Sequence, residues 1–177
     1  MRLVWFVLAF ACEDKISESV HDDPWGNQVT PVSIGSDSLG DLALGAPLDS
    51  LDWSSDGAVA CWPGNEDVNF TGAHVFYSAY QSPHSKVTAT VIPEDSTVDV
   101  NVYVLQQAAT SYQVPPAVTS VVSCEVGFPQ STDSNPGEPD SAYVIAIEKA
   151  YNLLIGVAGP QDVITGGYTL QIRSEEY

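Results

Sequence analysis

Apolar and polar residues alternate with a period of two along several stretches of the chain. The clearest case is Val98, Val100, Val102 and Val104 on one face against Asp99, Asn101 and Tyr103 on the other. Side chains of a strand point alternately to its two faces, so this is the pattern of a strand with one face buried and one in water. Val87, Ala89 and Val91 alternate with Thr88 and Thr90, and Tyr168, Leu170 and Ile172 with Thr169, Gln171 and Arg173. Residues 74–80, 142–147 and 151–159 are rich in the β-branched and aromatic residues that strands favour, and 29–34 offers a first strand. Pro93, Glu94 and Asp95 mark a turn between two alternating runs, which predicts a hairpin there. Pro115 and Pro116 bar a central strand from 111–122 and leave at most an edge segment. Residues 36–72 carry Gly, Asp, Ser and Pro throughout and read as short strands and turns, and 130–140 as a surface loop. No stretch sustains an amphipathic helix. The pattern predicts an all-β fold of seven to eight mostly antiparallel strands, a sandwich or small barrel, over residues 29–173.

The N-terminus departs from this pattern. Arg2 precedes an unbroken apolar run from Leu3 to Ala11, too short for the roughly 20 residues that span a bilayer. It suits a secretory signal over residues 1–11. Ala9, Phe10 and Ala11 lead into Cys12, and this resembles the lipobox of bacterial lipoproteins, in which the Cys is acylated. Cleavage after Ala9 or Ala11, releasing an unanchored protein, is the alternative. Residues 12–28 are polar, acidic and aperiodic, as expected of a tether. With lipid on Cys12, the remaining cysteines Cys61 and Cys124 form a candidate disulfide, since neither lies in metal-ligand spacing. Such a bridge belongs to an oxidising compartment. Export to the bacterial envelope, as a lipoprotein or a secreted protein, follows as the expectation.

Charge narrows the function classes. The chain has 5 Lys and Arg against 23 Asp and Glu, a formal net charge of -18. Nucleic acid needs clustered cations to neutralise its phosphates, so it is excluded as a partner. Adsorption to an anionic bilayer is disfavoured equally, which leaves a lipid anchor as the route to a membrane. Acidity of this degree attracts divalent cations. Calcium takes six to eight oxygen ligands, and Asp99 with Asn101 on one strand face, plus Glu94 and Asp95 in the adjacent turn, form a candidate set. Glu66 and Asp67 form a second acidic loop. A solvated surface accounts for the same residues.

Enzymatic chemistry finds little support. Only three histidines are present, His21, His74 and His84, and only His74 lies in a strand run. No Gly-x-Ser-x-Gly elbow or His-Glu-x-x-His run occurs. A hydrolase would need a polar cleft built on His74 or on two close carboxylates. Aromatic residues are more numerous than seven short strands must bury. Trp53, Trp62, Tyr80, Tyr103 and Tyr112 are candidate contacts for a peptide or polysaccharide, with packing under long loops as the other reading.

Three segments carry a family resemblance. They are the aromatic strand Gly72–Tyr77, the alternating strand Val98–Val104, and the closing runs Tyr151–Val157 and Gly166–Ile172. In this order they resemble the bacterial pre-peptidase C-terminal domain, found beside secreted proteases and collagenases. The resemblance implies a jelly-roll-like β-sandwich acting as a non-catalytic accessory or binding module, in some members stabilised by calcium. The sequence departs from it at His74 and Val75, where the family commonly has Asp, and in the long 106–142 excursion. A component that joins copies or partners through edge strands is the competing role.

Overall fold

The computed structural model describes residues 25–26, 28–55, 59, 61, 67–127 and 136–177. Ten strands form two sheets: β1 (Val29–Pro31), β2 (Asp37–Asp41), β3 (Ala46–Pro47), β4 (Ala73–Gln81), β5 (Ser85–Pro93), β6 (Asn101–Ala108), β7 (Ser123–Val126), β8 (Asp140–Ala146), β9 (Tyr151–Ala158) and β10 (Gly167–Glu176). The larger sheet runs β1-β4-β9-β6-β7, with β3 also on β4, and the smaller runs β2-β10-β5-β8. All pairings are antiparallel except β1 on β4. The architecture is therefore the predicted all-β sandwich. It has more strands than expected because β2, β3 and β7 are too short to show a period. Strand β10 also runs to Glu176, past the predicted boundary at 173. Among the described residues no helix is long and apolar enough to cross a membrane.

The predicted hairpin between β5 and β6 is not formed. From β4 onward the chain changes sheet at nearly every connection: β4 to β5, β5 to β6, β7 to β8, β8 to β9 and β9 to β10. Val87, Ala89 and Val91 therefore face Val100, Val102 and Val104 across the core instead of pairing beside them. Turn residues at Pro93–Asp95 are equally suited to an arch between sheets, and the sequence does not distinguish the two.

Only one sheet is half-buried. Along β5 buried and partly exposed residues alternate without a break, and β10 alternates over its first half. Strands β6 and β9 are buried on both faces nearly end to end. A second apolar layer, including Trp53, Val59, Phe70 and Val118, covers the outer face of the larger sheet. The Cys61–Cys124 disulfide lies in this layer, with the two Cα atoms 4.8 Å apart. Tyr103 belongs to it as well, and Gly156 on β9 opposite leaves the space its ring occupies.

Candidate recognition groove

The two long sides of the sandwich are finished differently. On one side β7 lies against β8 and side chains seal the join. Gln106 Nε2 donates to the Ile145 carbonyl at 3.0 Å and to Gln81 Oε1 at 2.8 Å. Gln81 Nε2 in turn donates to Ser85 O and Val144 O. Asp140, at the start of β8, accepts from the Val102 amide at 2.9 Å and from its neighbour Ser141. The carboxylate takes up an amide of β6 beyond the end of β7. Burial, with a further contribution from Asp99 nearby, pushes the Asp140 pKa up to about 6.

The opposite side is open. Here β3 and β1 share the edge of β4, β3 at Ala73–His74 and β1 at Phe76–Ser78. The edge of the smaller sheet is β2. A groove of about 700 Å³ lies along these edges. Its apolar lining includes Leu39, Leu44, Pro47, Leu48, Phe76 and Pro115. Leu39 and Leu44 are each 79% exposed, unusual for leucine. The Tyr77 and Tyr168 hydroxyls meet at 2.9 Å and tie the two sheets together beside it. Gly40 on β2 is required there, because a side chain would strike both tyrosines.

His74 contributes to this groove but is itself almost fully buried. Its Nε2 lies 2.6 Å from the Phe70 carbonyl, which can only accept, so Nε2 carries the proton. Nδ1 then accepts from the Tyr103 hydroxyl at 3.0 Å. Desolvation lowers the His74 pKa to about 4. The ring is thus neutral near pH 7 with both nitrogens engaged, an arrangement that fixes β4 against the outer layer and leaves no lone pair for a substrate proton.

The aromatic candidates separate. Tyr103 and Trp53, expected as contact residues, are 0% and 5% exposed and pack together in the outer layer. The expectation fails because Tyr103 lies on a covered face of β6 and Trp53 belongs to the layer that covers it. Tyr80 and Tyr112 are exposed, Tyr112 with an edge-to-face contact to Trp25 at 5.3 Å. Trp62 lies outside the described residues, as do Glu66, Cys12 and the predicted signal; the Asp67 side chain is likewise not described.

Two of the four proposed calcium ligands are engaged elsewhere in the fold. Asp95 Oδ1 accepts from the Thr97 amide and hydroxyl, which hold its carboxyl below the usual range. Asn101, expected on a polar face, is buried and donates to the Asn69 carbonyl at 3.0 Å. Glu94 is exposed near Gly167, and Asp99 is half-buried with its pKa raised by desolvation. Among the described residues no three His, Cys, Asp or Glu side chains converge as a metal site requires. The sequence reading missed Leu39, Leu44 and Asp140. Asp140 carried one signal, its position at the end of a Gly/Pro loop directly before a strand.

No family profile and no curated protein matches the chain. Among solved structures it is similar to the pre-peptidase C-terminal domain of a collagenase from Bacillus anthracis. The TM-score is 0.39 and the identity 12%, over 81% of this chain and 93% of that one. The likeness is remote.

Proposed function

We propose that this chain is a non-catalytic recognition module, exported to the bacterial envelope and held there through Cys12 or released, that binds an extended protein segment in the groove. The groove carries the reading. It offers apolar contacts beside the open edge of β2, the combination that takes an extended peptide. A polysaccharide site would be built on aromatic platforms, and of the described candidates Trp53 and Tyr103 are spent in the interior while the exposed Tyr80 and Tyr112 do not line the groove. His74 is likewise spent, which removes the one histidine suited to a hydrolytic role. The disulfide supports export, because such bonds persist in oxidising compartments.

The test is an array of extended peptides probed with the wild-type protein and with Leu44→Gln. Leu44 is largely exposed, so the substitution should change stability by no more than about 0.5 kcal/mol. The expected result is saturable binding to a subset of peptides, weakened about tenfold by L44Q, the scale of one lost apolar anchor with no change of charge. Absence of saturable binding to any peptide would refute the reading.

A further inference from the structure

We propose that the segment received by the groove is basic and that it binds as an added strand on the free edge of β2; this rests on the reading above. The pairing of β2 with β10 shows which peptide groups are available. Gly40 lies opposite Tyr168 and Ser38 opposite Leu170. Just outside the strand, Ile172 N donates to Ser36 O at 3.2 Å and Leu42 N donates to Gly166 O at 3.0 Å. Residues 36, 38, 40 and 42 therefore turn their backbone groups toward β10. The alternation of an antiparallel ladder then turns those of Asp37, Leu39 and Asp41 the other way. Among the described residues no strand lies on that side of β2.

The remaining edges are closed. On β8, the Val144 and Ile145 carbonyls accept from Gln81 and Gln106, and β7 packs against that strand. The edge of β4 is filled by β3 and β1, and β1 ends on Pro31, which has no amide to donate. Among the described strands, only β2 combines an unpaired ladder with an exposed leucine on it and another, Leu44, just beyond it. An incoming strand would lay alternate side chains beside Leu39 and toward Leu44 and Pro47.

Charge decides the occupant. Apart from Pro115 and Pro116, the groove is built from residues 28–77. That stretch contains no Lys or Arg, and its described residues include Asp37, Asp41, Asp49 and Asp52. The cation facing β2, Arg173, is already paired with Asp37. A second copy would bring another net charge of -18 to the same place, so like-charge repulsion opposes self-pairing. An extended segment alternating Lys or Arg with apolar residues satisfies the edge, the leucines and the field together.

The experiment uses a fluorescein-labelled alternating Lys-Val octapeptide, its Glu-Val counterpart, and two Lys-Val peptides N-methylated on one or the other alternate set of amides. Anisotropy titrations are run with wild-type protein and with Leu39→Pro. The proline removes the outward amide of residue 39 and no bond to β10. The expected result is saturable Lys-Val binding, at least about tenfold weaker for Glu-Val, for one N-methylated peptide and for L39P, and declining between roughly 50 and 500 mM salt. The N-methylated peptides test strand addition even if L39P fails to fold. Equal affinity for Glu-Val, or no effect of either methylation pattern, overturns this inference. If array peptides still bind and still lose affinity to L44Q, the recognition reading survives that outcome. If no peptide binds at all, both fall.

Discussion

Replacing Cys61 and Cys124 together with serine should lower the unfolding free energy by about 2–4 kcal/mol. The bridge spans 63 residues of sequence. In the chain-entropy description, closing a loop of that length restricts the unfolded ensemble by about 4 kcal/mol, with native strain and residual structure reducing what is realised. The native position matters as much. Cys61 follows the turn that carries Trp53, and its amide donates to the Ser54 carbonyl at 2.7 Å. Cys124 sits in β7, opposite Leu105 of β6. The bridge thus pins the outer apolar layer to the larger sheet, and two serines would leave hydroxyls in a largely buried place. Urea denaturation of wild type, of wild type with dithiothreitol, and of the double variant measures the effect. The first should have the highest midpoint and the other two should fall together. Coincident midpoints for all three would mean that the bridge contributes nothing.

Legibility of the fold followed burial. Strands β5 and β10 lie in the sheet with one wet face, and their alternation was readable residue by residue. Strand β6 shows the same alternation in sequence, Val against Asp, Asn and Tyr. Asn101 and Tyr103 are nevertheless buried, because they have hydrogen-bond partners, the Asn69 carbonyl above the sheet and His74 on β4. A period-two pattern reports chemical type and not solvent. The layer that changes its meaning comes from distant loops with no period of their own. Site legibility failed for a related reason. An edge becomes an edge only through the topology, and nothing in Asp37–Asp41 marks those residues as the uncovered strand of the smaller sheet. Chain-crossing connections hid the pairing further, since an arch and a hairpin use the same turn residues.

Two desolvated ionisable groups, His74 buried and Asp140 partly buried, should impose opposite pH dependences that largely cancel in the wild type. His74 has its pKa lowered from 6.5 to about 4 by desolvation. Its contribution is full above pH 6.5 and is lost as pH falls toward 4, because the unfolded chain then binds a proton that the folded one refuses. Asp140 has its pKa raised from 3.8 to about 6, chiefly by burial and further by Asp99. Its contribution is full below pH 3.8 and is lost as pH rises through 6, because the folded state must then hold a poorly solvated charge. Each is worth on the order of 3 kcal/mol from the size of its shift. Asp140→Asn keeps an oxygen to accept from the Val102 amide and removes the charge. The variant should be more stable than wild type by about 2 kcal/mol at pH 7 and should lose that advantage by pH 4. With the compensating group gone, its stability should fall on acidification along the His74 limb. His74→Gln, which can still donate to the Phe70 carbonyl, should show the reverse, gaining stability relative to wild type as pH falls. Urea midpoints at pH 4, 5, 6 and 7 for the three proteins decide the matter, with differences between them cancelling the general relief of acidic repulsion that all share. Parallel curves for D140N and wild type would show that the Asp140 carboxylate is not held charged against burial at neutral pH. The seal between β7 and β8 would then rest on the glutamine pair.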